Sequence, residues 1–337
     1  MRRLRWLTTA LVLFLLPAST TNAQEQRIVT RTDFVSVNVI VTDKSGRYVH
    51  GLTRDDFELF DEKVKQQIAH FSSDPAPVSL GIVYEIHPRT SDRRSAMLAA
   101  VRQFTRNLSE GDDFFFMAFG AQGSVTTGFV PTEEQVLNHL AALRPGGASS
   151  LYDAIYTAAD RLRKQRNFKK ALLIISDGDD DQSATSYKAL RHRLREFDVQ
   201  IYAVAIDSPA TDRTAGYSRW FFEDITRQTK GRAFGANAET SVGRAVLSEM
   251  ARVSGGSAYY PETENEPELE GICSQIATEL RQQYTVGFYP TGVESNRTWH
   301  RINITLKRAN GRRGLSLSYR QGYRLMRQAE ETVSLVW

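Results

Sequence analysis

The sequence contains a single cysteine, Cys273, among 337 residues. No disulfide can therefore form within one chain, which excludes a disulfide-stabilised extracellular module. The sequence also lacks an HExxH pair, a Walker A loop and a G-x-S-x-G elbow. These motifs are typical of metalloproteases, P-loop nucleotide hydrolases and α/β-hydrolases, respectively. Their absence predicts a protein that is not an enzyme.

Long hydrophobic runs are also absent beyond residue 23, so no later stretch is predicted to cross a bilayer. The first 23 residues predict a signal peptide, because three arginines precede the apolar run Leu7–Leu16 and a cleavage site follows Ala23. An uncleaved membrane anchor is the alternative. We expect an exported protein, located in the periplasm, outside the cell or on its surface, that is not an integral membrane protein after signal cleavage.

A strong excess of positive charge is absent from the predicted mature chain. The full sequence has a formal charge of +4, and cleavage would remove three arginines and no acids, which leaves +1. Dedicated nucleic-acid binders usually carry a clear basic excess. We therefore expect a protein partner and no nucleic acid.

Both ends of the mature chain show the period of antiparallel strands. In residues 24–76, apolar residues alternate with polar ones from Val35 to Val41, and turns at Asp43–Gly46 and Asp61–Lys63 separate further short strands. Residues 284–326 repeat this pattern, and residues 327–337 form a tail. Because 45 residues alone would bury too little apolar surface, we expect the two segments to pack together in one small β module.

The middle of the chain, residues 77–283, has a different period. Continuous apolar strands alternate with amphipathic helices, which is typical of a mostly parallel sheet covered on both faces. We expect Ser149 to cap one of these helices and another helix to begin at Ser183. Residues 208–261 are predicted to be an irregular or inserted part of this α/β region.

The segment KKALLIISDGDDD, Lys169–Asp181, places an acidic turn directly after a buried strand. Ligands of open α/β sheets bind at the carboxyl ends of the strands. Carboxylate oxygens at this position suit Mg²⁺, Mn²⁺ or Ca²⁺. The turn therefore indicates a candidate binding edge.

The α/β region resembles a von Willebrand factor type A domain, through SLGIVYE, GGASSLYDAI, KKALLIISDGDDD and VQIYAVAID. The flanking segments VNVIVTDKSGRYVHGLTRDDFELFDEKVKQQIAHF and RQQYTVGFYP are similar to secreted proteins related to this domain that are common in acidobacteria. The resemblance implies a Rossmann-like, mostly parallel sheet. It also implies a metal-dependent adhesion site, with ligands from three loops at the carboxyl edge of the sheet.

Carried onto this chain, the resemblance places metal ligands at Glu85, at Ser149 (or Ser150 in its place) and at Asp177. The first loop departs from the family pattern, because His87 and Arg89 replace two serines. An imidazole suits softer transition metals better than Mg²⁺, and the guanidinium repels a divalent cation. The site is therefore expected to be degenerate.

Three interpretations of this site remain open. In the first, no metal binds, and the acidic loop is neutralised by solvent or by Arg89, which would pair with Asp177 or Asp179. In the second, Glu85, Ser149 and Asp177 hold Mg²⁺ or Mn²⁺, which binds a carboxylate of the partner. In the third, His87 joins Glu85 and Asp177 in a site for a softer metal. The further acids Asp179, Asp180 and Asp181 are interpreted as solvated side chains, with a Ca²⁺ site as their alternative.

We expect an exported, non-enzymatic protein–protein interaction or adhesion module. Its partner-binding loops are predicted at residues 85–92, 146–150 and 177–182, and the residues in contact are His87, Arg89, Ser149, Ser150, Asp177, Asp179 and Asp180. The alternatives are a metal-dependent adhesion module and a metal-assisted hydrolase. The hydrolase would need a second acidic cluster or a histidine pair at a strand end, for which Glu85 and His87 are the candidates.

Overall fold

The computed structural model describes residues 34–86, 98, 101–103, 106, 109–120, 123–142, 149–206, 242–263, 265–292, 299–307 and 314–324. The predicted signal peptide lies outside the described residues. So do His87, Arg89 and most of residues 90–108. Of these, residues 98, 101–103 and 106 are described, and they are helical.

The described residues form fourteen strands and five α-helices. The strands are β1 (Val35–Thr42), β2 (Phe57–Asp61), β3 (Val64–Gln66), β4 (Ile68–Ser72), β5 (Val78–Glu85), β6 (Asp113–Gly120), β7 (Gly123–Thr126), β8 (Lys169–Ser176), β9 (Gln200–Ala205), β10 (Ala258–Tyr259), β11 (Tyr284–Phe288), β12 (Trp299–Leu306), β13 (Ser316–Ser318) and β14 (Gly322–Arg324). The helices are α1 (Glu133–Ala142), α2 (Leu151–Arg163), α3 (Tyr187–Glu196), α4 (Val242–Ser254) and α5 (Glu266–Arg281).

The central sheet has the strand order β10-β9-β8-β5-β6-β7. All neighbouring strands are parallel except β7, which pairs with β6 in the antiparallel direction. In the middle strand β5, Val83 lies opposite Met117 of β6 and Ile174 of β8. The eight residues of β5 are all buried, as expected for a continuous apolar strand covered on both faces.

Helices cover both faces of this sheet. On one face, α2, α3 and α4 pack on a core that includes Ile155, Leu190 and Val246. On the other face, α1 and α5 pack on a second core through residues such as Leu140 and Ile276. The predicted α/β fold, a mostly parallel sheet flanked by helices, is confirmed.

The two ends of the described chain form a β-sandwich. One sheet has the order β13-β1-β11-β4 and the other β14-β12-β2-β3, so each combines N-terminal and C-terminal strands. The two sheets share one core, which includes Val37, Leu59, Val286 and Ile304. The predicted pairing of the two terminal segments is confirmed, and the strands divide into two facing sheets.

Several local predictions were wrong. No strand follows the turn at Asp43–Gly46, where Tyr48 makes only an isolated bridge to Thr42. The N-cap of α2 is Ser150 and not Ser149. Helix α3 begins at Tyr187, because Ser186 caps it by accepting a hydrogen bond from the Ala189 amide.

Within the segment 208–261, the described residues are largely regular. Helix α4 packs against the sheet, and β10 extends the sheet as a parallel edge strand beside β9. Gly255 and Gly256 form the tight turn that joins α4 to β10. Glycine is needed at both positions because a Cβ at Gly255 would meet the backbone of Arg320 and a Cβ at Gly256 the backbone of Ile201. Residues 208–241 of this segment lie outside the described residues.

Candidate functional site

The order of the central strands defines a crevice at the carboxyl ends of β5 and β8. The chain passes from β5 to its neighbour β6 on one side, and β8 occupies the other side of β5. Such a reversal is where open α/β sheets bind ligands. Tyr84 and Ile175 pair near the ends of the two strands, which brings Glu85 beside Ser176 and Asp177.

Glu85 lies at the bottom of this crevice and is only 3% exposed. Its Oε2 accepts a hydrogen bond of 2.7 Å from the Ser176 hydroxyl and one of 3.3 Å from the Asp177 amide. Burial, with the charge of Asp177 as the second cause, raises the pKa of Glu85 to about 8, although the Ser176 and Ser149 hydroxyls oppose the rise. Glu85 is therefore mostly protonated at neutral pH.

The acidic loop after β8 uses its carboxylates to hold its own backbone. Asp177 Oδ1 accepts a hydrogen bond from the Asp179 amide at 3.0 Å. Asp180 accepts from the amides of Ser183 at 3.1 Å and Tyr152 at 3.3 Å, which ties the loop to the first turn of α2. Burial raises the pKa of Asp180. These bonds fix the shape of the loop.

Two of the three acids expected to be solvated are not. Asp179 and Asp180 are half-buried, and Asp181 is exposed. The loop packs closely because Gly178 has a φ of +84° and a side chain there would meet the backbone carbonyl of Gly243 in α4. The prediction of solvated side chains is therefore correct only for Asp181.

Asp153 is a further residue of this site, and the sequence analysis missed it. Its carboxylate accepts hydrogen bonds from the amides of Ala184 at 2.8 Å and Thr185 at 2.9 Å. Partial burial acts to raise the pKa of Asp153, but the Thr185 hydroxyl and the amides of Ala184 and Thr185 together hold it below its ordinary value. In the sequence, Asp153 is an ordinary acid of a helical first turn, so only its distant partners reveal its role.

Ser149 contributes to the loop through its backbone. Its carbonyl accepts hydrogen bonds from the amides of Asp181 at 2.9 Å and Gln182 at 3.0 Å. Its side chain is buried beside Glu85. Ser149 and Asp177 thus both lie beside Glu85. Ser150 occupies the N-cap position of α2, but its side chain makes no capping hydrogen bond.

A metal ion can bind in the crevice only if several ligating side chains lie close together there. Among the described residues, no group of three or more His, Cys, Asp or Glu side chains is placed to hold a metal ion. The described carboxyl groups of the crevice contact hydroxyls and backbone amides instead. His87 and Arg89, on which two of the three interpretations depend, lie outside the described residues.

The only cysteine, Cys273, lies on α5 and packs in the core between this helix and the central sheet. Cys273 is 1% exposed, and burial raises the pKa of its thiol to about 12. A thiol in this environment stays protonated and is a poor nucleophile. Cys273 therefore serves as a small buried apolar residue.

The strand order and the crevice are those of a doubly wound α/β binding domain. Residues 79–215 match the family model of the von Willebrand factor type A domain. The match covers less than half of the chain, and residues 79–215 are similar to this domain in sequence. No curated protein sequence is significantly similar to the chain.

Several solved structures resemble the fold. An aerotolerance-related membrane protein from Bacteroides fragilis is 13% identical, with 60% of this chain and 99% of that one covered and a TM-score of 0.39. BatB from Bacteroides thetaiotaomicron is 15% identical over 60% and 98% of the two chains, with a TM-score of 0.39. Manganese-loaded TRAP protein from Plasmodium vivax is 10% identical over 80% and 100%, with a TM-score of 0.39. At these identities the likeness concerns the fold alone.

No helix in the described part of the chain combines the length and apolar character needed to cross a membrane.

Proposed function

We propose that this chain is an exported, non-enzymatic protein-interaction module, of the secreted kind that its flanking segments resemble. A protein partner binds the carboxyl edge of the central sheet, formed by residues 85–92, 146–150 and 177–182, and no metal ion bridges the contact. The main support for this proposal is that the carboxyl groups of this edge already accept hydrogen bonds from other groups of the same chain. These carboxyl groups belong to Glu85, Asp153, Asp177 and Asp180.

These bonds give the edge a fixed shape without a cation. The loop 177–185 is tied to α2 at both of its ends, through Asp180 and Asp153. A preformed surface loses little conformational entropy when a partner binds. Exposed polar groups such as Asp181 and Gln182 remain at its rim for direct contacts.

A metal-dependent adhesion module is the second candidate, and the convergence of Glu85, Ser149 and Asp177 favours it. In that case Mg²⁺ or Mn²⁺ would bind the three side chains and a carboxylate of the partner. Binding would require Glu85 to lose its proton and to exchange its bond with Ser176 for the metal. The two functions therefore differ in the ionisation of Glu85.

Site-specific photo-crosslinking tests the location of the contact. A photoreactive residue at the exposed position Gln182 is expected to capture a discrete protein in the native host, both with and without EDTA. The control position is Phe168, which is 73% exposed and precedes β8, at the opposite edge of the sheet. Capture at Phe168 but not at Gln182 would refute the proposed surface, and capture lost in EDTA would favour the adhesion module.

A thermal-shift series tests the metal directly. We expect no change in Tm with Mg²⁺, Mn²⁺, Ca²⁺ or Zn²⁺ for the wild type, for Asp177→Asn, or for the control Asp74→Asn, whose carboxylate is exposed and lies outside the crevice. Ligands that bind the folded state alone raise its stability. An increase with Mg²⁺ or Mn²⁺ that Asp177→Asn removes and Asp74→Asn keeps would establish the metal-dependent module instead.

A further inference from the structure

A second candidate site is a pocket of about 540 Å³ between the β-sandwich and helices α3 and α4. Its volume falls in the range typical of small-molecule sites. Arg195 and Arg252 lie near the C-terminal ends of their helices, so the pocket is toward the amino edge of the central sheet, away from the crevice. The lining residues are Arg195, Arg252, Trp299, Arg301, Ile302, Leu317, Ser318, Tyr319 and Gln321.

The pocket is positively charged. Three of its nine lining residues are arginines, and none of these nine described residues is acidic. The nearest acid behind Arg252 is Glu249, whose buried carboxylate contacts both Arg252 at 2.7 Å and Arg191 at 3.2 Å. One negative charge thus faces two guanidiniums. A guanidinium keeps its charge at every physiological pH, so the field in the pocket does not depend on protonation.

Arg301 lies on β12 at the mouth of the pocket and its side chain is exposed. Its backbone amide donates a hydrogen bond to Glu62 Oε1 at 2.9 Å, which places one acid near this side. Among the described residues that line the pocket, three are arginines and none is an acid, and this lining favours an anionic ligand.

The apolar wall of the pocket is rigid. The indole of Trp299 packs over Gly322, where an added Cβ would lie 2.5 Å from a ring carbon. Arg195 stacks on the same indole, with its guanidinium carbon 5.8 Å from the ring centroid. The Tyr319 hydroxyl is held between the amide and the carbonyl of Ile304, at 2.9 and 3.2 Å. Two aromatic side chains are therefore fixed beside the arginines.

We propose that this pocket binds a small organic anion in which a carboxylate or phosphate group is joined to a flat ring. The anionic group contacts the guanidiniums of Arg195 and Arg301, because planar guanidiniums bind carboxylate and phosphate through paired hydrogen bonds. The ring lies against Trp299 and Tyr319. This site is separate from the carboxyl edge, and it does not depend on the function proposed there.

Four probes separate the contributions of charge and ring. Phenyl phosphate and benzoate carry both features, inorganic phosphate has the charge alone, and benzyl alcohol has the ring alone. In calorimetric titrations of the full chain at low salt, we expect phenyl phosphate or benzoate to bind more tightly than the last two probes. The tighter of the first pair identifies the anionic group. No binding of either at millimolar concentration would overturn the proposal.

Variants locate the binding. Arg301→Gln and Arg195→Gln are each expected to weaken binding of the tighter probe by about tenfold or more, because each removes a charged hydrogen-bond donor. Trp299→Leu should bind the ring-bearing probe no more tightly than inorganic phosphate. The control Arg54→Gln removes an exposed arginine outside the pocket and should change nothing. The site would be refuted if the tighter probe bound with equal affinity to the wild type, to Arg195→Gln and to Arg301→Gln, whose side chain is exposed.

Discussion

Replacement of Glu85 by glutamine is the most direct perturbation of the crevice. The amide oxygen can accept the bonds that Glu85 Oε2 now accepts from Ser176 and from the Asp177 amide. The amide nitrogen has the size of the protonated carboxyl oxygen and carries no charge. Glu85→Gln therefore keeps the geometry and removes the ionisation.

The magnitude follows from the pKa of Glu85, which burial raises from 4.5 to about 8. Between these values the folded state keeps a proton that the unfolded state has lost, so folding stability decreases as pH rises. The slope is about 1.4 kcal/mol per pH unit, and burial of Glu85 costs about 3 kcal/mol at pH 7. Below pH 4.5 both states hold the proton, and the cost disappears.

Urea unfolding between about pH 5 and 8 measures this cost. The free energy of unfolding of Glu85→Gln should exceed that of the wild type by a difference that widens with pH. Glu110→Gln, which changes an exposed carboxyl group, should show no comparable widening. A difference for Glu85→Gln that stays constant with pH would refute the reasoning. A wild type that gains stability on addition of Mg²⁺ would mean that Glu85 is ionised by a bound metal.

Two further predictions concern the contact between the sandwich and the α/β region. Tyr48→Phe removes a hydroxyl that donates to Glu279 Oε2 at 3.0 Å, so it should lower the free energy of unfolding by about 1 to 2 kcal/mol, as measured in urea. Gly255→Ala should lower Tm, because Gly255 has a φ of +82° and an added Cβ would lie 2.6 Å from the Arg320 amide nitrogen. Gly271→Ala, in open space on α5, should instead raise Tm slightly, and a similar decrease for both alanine variants would contradict the steric argument.

The central sheet could be predicted because each of its strands carries its own signal. β5 and β8 are continuous apolar runs, and such runs are stable only when helices cover both faces. The strand order was not predicted, because a continuous apolar run does not show which strand lies beside it. The terminal strands were harder to place. Alternation of apolar and polar residues shows which face of a strand is buried, but it does not show which strand pairs with it, as Val37 of β1 pairs with Val286 of β11.

The candidate site was predicted only in part. Glu85 and Asp177 follow buried strands, so their position at one edge of the sheet could be expected. The hydrogen bonds of the site could not be predicted, because they join residues that are distant in the sequence. Asp153 and Ala184 are separated by 31 positions, and nothing in the sequence around either residue indicates the other. For the same reason Ser183 was predicted inside a helix, whereas its amide bonds to Asp180 in the loop before α3.

The arrangement of the two regions favours the carboxyl edge as the proposed partner surface. The sandwich contacts the opposite, amino edge, where Arg320 pairs with Asp198 at 3.1 Å and Tyr48 reaches Glu279 at the end of α5. A partner at that edge would have to compete with these contacts. At the carboxyl edge, the loop 177–185 holds its shape through carboxylates of its own and through Asp153 of α2. The same packing forms the arginine pocket, so the proposed partner surface and the proposed anion site lie at opposite edges of the central sheet.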